Sequence, residues 1–214
     1  MKRRITALMM AAAMCISLVA CGGSNTNTTE NNNTAESGSA AAKDTSDLKI
    51  GLVTDVGGVN DGSFNQTAWE GMERAAEELG VTVNYLESGT DADYAPNLET
   101  FADEEYDLII SIGYMLADAT RTAAEQNLDI KFAIVDDATI DLPNVTCLMF
   151  RAEQASYLAG YVAGKTTKTN NVGYVAGMAN ETMNQFGYGY CAGVLDANPD
   201  AKIQQFNANS FADA

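Results

Sequence analysis

Residues 48–86 read LKIGLVTDVGGVNDGSFNQTAWEGMERAAEELGVTVNYL and contain one complete unit of structure. Residues 48–54 are a short, mostly apolar run of strand length. Residues 55–63 are polar and rich in glycine, which marks a loop. From Phe64 the pattern changes period. Phe64, Ala68, Met72, Ala75 and Leu79 fall on one helical face, and Gly80 supplies a stop. Ser63 and Gln66 stand at the spacing of a capping box at the start of that helix. Residues 81–86 return to a strand. Strand, helix and strand in this order predict a right-handed βαβ unit with parallel strands.

The same alternation runs on through the chain. Helices are predicted over residues 94–105, 115–127, 153–165 and 182–197. Strands are predicted over 107–112, 131–135, 145–150, 172–175 and from 202 to 206. The fold class is therefore α/β, with parallel sheets flanked by helices. Such sheets bind ligands beyond the carboxyl ends of their strands. That directs attention to residues 55–63, 87–93, 113–114 and 136–141. The first loop carries Asp55, Asn60 and Asp61, the second Glu87, Asp91 and Asp93, and the last Asp136, Asp137 and Asp141. None of these loops holds a Lys or Arg. Carboxylates and amides without cations suit a neutral ligand rich in hydroxyls or amines. Phe64, at the first turn of its helix, offers a flat face to a ring. The first loop lacks both GxGxxG and GxxxxGK[ST], so nucleotide phosphates are poorly served.

Composition removes several classes of function. The 214 residues include no histidine, which excludes serine–histidine triads and histidine metal sites. No metal or other cofactor is expected. The formal net charge is −17 and no basic patch is present, so nucleic acid is excluded as a partner. Asp136 and Asp137 are adjacent at a strand end, so they point to opposite sides and make a poor acid/base pair. The chain is read as a binder and not as an enzyme. Cys147 and Cys191 read as buried free thiols, with a disulfide between them left open.

The start of the chain reads as an address. Lys2, Arg3 and Arg4 precede the uncharged, largely apolar residues 5–20, the pattern of a signal peptide. That run is shorter than the roughly 20 residues of a membrane span. It ends in Leu18-Val19-Ala20-Cys21, which resembles the lipobox of bacterial lipoproteins. The resemblance implies cleavage before Cys21 and lipidation of its thiol. Loss of the three basic residues brings the net charge to about −20. Residues 22–47 are mostly Asn, Thr, Ser, Gly and Ala, too poor in apolar surface to offset their ordering entropy. The expected organisation is a signal peptide (1–20), a lipidated flexible linker (21–47), a first α/β lobe (48–146) and an incomplete second lobe (147–214).

Residues 55–71, DVGGVNDGSFNQTAWEG, resemble the basic membrane protein family of substrate-binding lipoproteins, also called the PnrA-like or BMP family. Residues 107–115 (DLIISIGYM), 132–136 (FAIVD) and 150–163 (FRAEQASYLAGYVA) resemble it too. The resemblance implies a type I periplasmic-binding-protein fold, in which two α/β lobes close over a ligand. It implies delivery of purine nucleosides to an ABC permease from a lipid anchor on the outer face of the cell membrane. Position by position it implies that Phe64 stacks on the base and that Asp136 reaches the sugar. It implies that Met115 lines the cleft, and that Asn60, Asp61 and Asn65 bond base edges or shape the loop. Trp69 reads as packing. Phe186 reads equally as cleft or core. Family members are longer, so a chain truncated in its second lobe is expected. The alternatives are the same fold binding a sugar or signalling ligand, a surface receptor without an importer and, least favoured, a nucleoside hydrolase.

Overall fold

A computed structural model describes residues 44–211. The expected signal peptide, the expected lipidation site Cys21 and most of the expected linker lie outside the described residues. The first sheet contains β1 (Lys49–Val53), β2 (Thr82–Leu86), β3 (Leu108–Ser111), β4 (Lys131–Val135) and β5 (Val145–Leu148). All its pairings are parallel, in the order β2-β1-β3-β4-β5. The helices between these strands are α1 (Phe64–Leu79), α2 (Tyr94–Asp103) and α3 (Ala117–Gln126). After β5 the chain continues into α4 (Ala152–Thr166), β6 (Asn171–Ala176), α5 (Glu181–Ala197) and β7 (Lys202–Asn207). There β6 and β7 pair in parallel as a separate two-stranded sheet.

The pleat of the strands sends alternate side chains to opposite faces. On one face Val53, Ile109 and Phe132 are buried with Leu98 and Phe101 of α2 and Ala123 and Ala124 of α3. On the other, Leu52 and Ile112 bury Met72 of α1, with Ala68, Trp69 and Val83 packed around them. Helices thus cover both faces, which is why the strands read as nearly continuous apolar runs. Trp69 meets the ring of Tyr85 edge-on, with centroids 4.7 Å apart, so it packs as expected. In the second unit α4 and α5 approach until their backbones touch. A Cβ at Gly160, Gly189 or Gly193 would overlap a carbonyl of the facing helix.

Most element boundaries agree with the sequence reading within a residue or two. Three details differ. Residues 44–47, assigned to the linker, are ordered: Thr45–Asp47 form a 3-10 turn, and the Thr45 hydroxyl donates to the Leu79 carbonyl at 2.7 Å. The predicted helix at 115–127 is split into a 3-10 turn, Tyr114–Leu116, followed by α3. The apolar stripe of α1 is shallower than its spacing suggests. Met72 is buried, but Leu79 is 56% exposed at the far end and Phe64 38% exposed at the near end. Among the described residues Cys147 and Cys191 form no disulfide, and each is half-buried where burial was expected.

Candidate functional site

The strand order sets where a ligand can sit. From β1 the chain steps to one side to form β2, then crosses over to form β3 on the other side. The carboxyl ends of β1 and β3 therefore flank a switch point, where the outgoing loops diverge and leave a crevice. A cavity of about 250 Å³ lies there. Asp55, Ser63 and Phe64 reach it from the β1 side, Gly113, Tyr114 and Met115 from the β3 side, and Asp136 from the end of β4. The second unit closes it with Thr182, Met183 and Phe186 of α5 and with Phe211 beyond β7.

The loop between β1 and α1 is held by a compact set of bonds. One oxygen of Asp61 accepts from the backbone N–H of Ser63 (2.8 Å) and of Gln66 (3.1 Å). The other accepts from the backbone N–H of Asn65 (2.9 Å) and from its side-chain amide (3.2 Å). Asp61 therefore caps α1, and the expected capping box does not form, since Ser63 makes no side-chain bond at the cap. Partial burial raises the Asp61 pKa, but these N–H donors outweigh it and hold the carboxyl below its ordinary value. Such caps contribute about 1 kcal/mol to stability. Asn65 is buried, and its amide also donates to Asp55 Oδ1 at 2.7 Å. The Gly57 N–H donates to that same Asp55 oxygen at 2.9 Å. Glu87, after β2, anchors the middle of the loop by accepting from the Val59 N–H at 2.7 Å.

The expected site residues thus fall into two groups. Phe64, Met115 and Asp136 line the cavity together. Asp61 and Asn65 lie behind it and shape the loop, and Asn60 is exposed outside the lining. Asp55 is the main residue the sequence reading underweighted. It is buried at the wall of the cavity, its place fixed by Asn65. Its position directly after β1, at a carboxyl strand end, was the available signal. Tyr114, Thr182, Met183 and Phe211 gave no such signal, and Phe186 proves to line the cleft.

Asp136 has an unusual backbone. Its φ is +60°, a region entered at a cost of about 1–3 kcal/mol by residues other than glycine. Asp and Asn tolerate it best because their short polar side chains bond locally. Burial pushes its carboxyl above the ordinary carboxylate range. Its neighbour Asp137 accepts from the backbone N–H and the hydroxyl of Thr139, both at 2.8 Å, and borders the same polar chamber as Asp136, although adjacent strand-end positions were expected to point to opposite sides. Beyond Asp136, Tyr114 and Thr182 lies a more polar chamber of about 350 Å³, bordered also by Asp137, Asn180, Glu181 and Gln185. Among the described residues no Lys or Arg lines either space. The arrangement is an aromatic and thioether-lined slot with carboxylates at its walls, continuous with a chamber of hydrogen-bonding groups.

The family model described as "ABC transporter substrate-binding protein PnrA-like" matches residues 48–214. The chain belongs to this family. It is similar to the CD4+ T-cell-stimulating antigen of Listeria innocua, at 42% identity over all of this chain and 59% of that protein. It is also similar to the ABC transporter nucleoside-binding protein BmpA of Lactococcus lactis, at 39% identity over 84% of this chain and 52% of that one. Among solved structures, a solute-binding protein of an ABC transporter system from Aeropyrum pernix aligns with a TM-score of 0.68 and 30% identity. That match covers 75% of this chain and 47% of the other. The fold is that of the type I periplasmic binding proteins. The chain spans about half the length of the curated relatives it matches. Among the described residues no helix is long and apolar enough to cross a membrane.

Proposed function

We propose that this PnrA-like chain is the ligand-capturing part of a nucleoside-binding protein, lipid-anchored through Cys21 on the outer face of the cell membrane and serving an ABC permease. The observation that carries the reading is the switch-point cavity: aromatic and thioether walls, Asp55 and Asp136 at its edges, and no cation. A purine ring fits the slot beside Phe64 and Met115. Asp55 accepts from ring or exocyclic N–H groups. Asp136 stands where the slot meets the polar chamber and accepts from sugar hydroxyls. Stacking contributes about 1–3 kcal/mol and a hydroxyl–carboxylate bond about 1.5–3 kcal/mol. A few such contacts reach roughly micromolar affinity, about 8 kcal/mol. The name of the Lactococcus relative points the same way.

Isothermal titration of the protein with adenosine, guanosine and inosine tests this. At least one should bind with roughly micromolar affinity or better. The corresponding 5′-monophosphates should bind at least about tenfold more weakly, because Asp55 and Asp136 line the cavity and no Lys or Arg of the described residues joins them there. Absence of heat with every nucleoside, alongside binding of a sugar, would overturn the ligand. The anchor is tested separately in growing bacteria supplied with an alkyne-bearing palmitate analogue. The protein should take up the label, and Cys21→Ser should abolish it; retention of label in the variant would refute lipidation at Cys21.

A further inference from the structure

The two units touch across the mouth of the cavity, away from the chain crossing at residues 149–151. Tyr114 lies in the 3-10 turn after β3. Its hydroxyl donates to Met178 Sδ at 3.7 Å. Its ring meets Phe211 edge-on, with centroids 6.3 Å apart and planes at 72°. Met178 follows β6 and Phe211 follows β7, so both contacts run from the first lobe to the second. Tyr114 and Phe211 also line the cavity. Phe211 lies where a side chain at residue 177 would be, for a Cβ on Gly177 would overlap its ring. Met178 and Phe211 remain partly exposed, at 36% and 40%. Contacts of this kind, half in water, are weak enough to break each time a ligand enters or leaves.

We propose that Tyr114, Met178 and Phe211 form a clasp that holds the lobes closed over the ligand, and that Gly177 is the positioning residue that seats Phe211 in it. The proposal builds on the nucleoside reading of the cavity. Met178 lies outside the cavity lining and Tyr114 and Phe211 border it, and the contacts among the three join protein to protein, so the clasp governs chiefly how long a ligand stays. Its loss should therefore speed release of different nucleosides by the same factor.

Stopped-flow release of adenosine, guanosine and inosine tests this. Phe211→Ala should raise koff about tenfold for each, since an edge-on aromatic contact is modest but real, and should leave kon within about twofold. Tyr114→Phe, which keeps the ring and loses only the O–H···S bond, should raise koff about twofold. Gly177→Ala should behave like Phe211→Ala and add nothing in the Phe211→Ala background. Independent, multiplicative effects of the two substitutions would overturn the role of Gly177. Effects confined to kon, or to one base, would overturn the clasp. A ligand-free measurement separates this from the nucleoside reading: Phe211→Ala should speed amide hydrogen exchange at residues 113–116. If no nucleoside binds the parent protein, the functional reading fails and exchange alone judges the clasp; unchanged exchange refutes it.

Discussion

Phe64→Ala is expected to weaken nucleoside binding by about 5- to 150-fold, the range that corresponds to loss of one stacking face worth about 1–3 kcal/mol. Its fold should survive. Phe64 is 38% exposed and occupies the first helical position, so truncation leaves no buried void. The N–H groups that Asp61 caps belong to the backbone or to Asn65 and Gln66, not to the Phe64 ring. Titration calorimetry paired with a thermal melt checks both halves. Binding lost with the melt unchanged places the ring against the ligand. Binding unchanged would remove Phe64 from the site and leave the aromatic wall to Phe186.

Asp136→Asn is expected to act in opposite directions on ligand and fold. Asn keeps the shape and tolerates φ near +60°, so the turn stays intact. It loses the charge that makes a carboxylate the stronger acceptor, and binding should fall about tenfold or more. The ligand-free protein should become more stable near neutral pH. Burial raises the Asp136 pKa, so the folded state holds a proton that the unfolded state gives up earlier. Stability then falls as pH rises from the unfolded pKa through the raised folded one, the reverse of a paired surface carboxylate. Melts of wild type and variant should converge at acid pH and separate above that window, with the variant higher. Ligand affinity of the wild type should drop as pH falls through the same window, as Asp136 gains its proton. A variant less stable than wild type at neutral pH would contradict this account.

Nearly all of the architecture was legible because the central strands β1, β3 and β4 are largely buried, the edge strands β2 and β5 alternate between half-buried and exposed positions, and α1, α2 and α3 each bury one face. The resulting periods, with Gly80 as a stop, mark boundaries closely. The acidic character of the cavity was legible too, since the loops after β1 and β4 supply Asp55 and Asp136 to its lining. Two things were not. Which partner caps α1 depends on loop geometry: Asp61 reaches three backbone N–H groups only because the loop doubles back, and linear spacing favoured Ser63 instead. The contributions from Tyr114 and Phe211 were hidden because they meet each other, and Tyr114 meets Met178, across 64 or more positions of sequence. Aromatic residues at loop positions carry no periodic signal. Asp55 was half visible: its place after β1 was evident, but its burial follows from Asn65, which ties it down.

The bonds that hold the β1–α1 loop run almost wholly between residues of the loop and the first turn of its helix, with Glu87 as the outside anchor. Their consequence is thermodynamic. Ordering each flexible side chain on binding costs about 0.5–1.5 kcal/mol. Here Asp55 is fixed by Asn65 before any ligand arrives, and folding of the first lobe alone has already lost that freedom. On the proposed function, the first lobe offers Asp55 to its ligand already held in place, and binding bears no cost of ordering it.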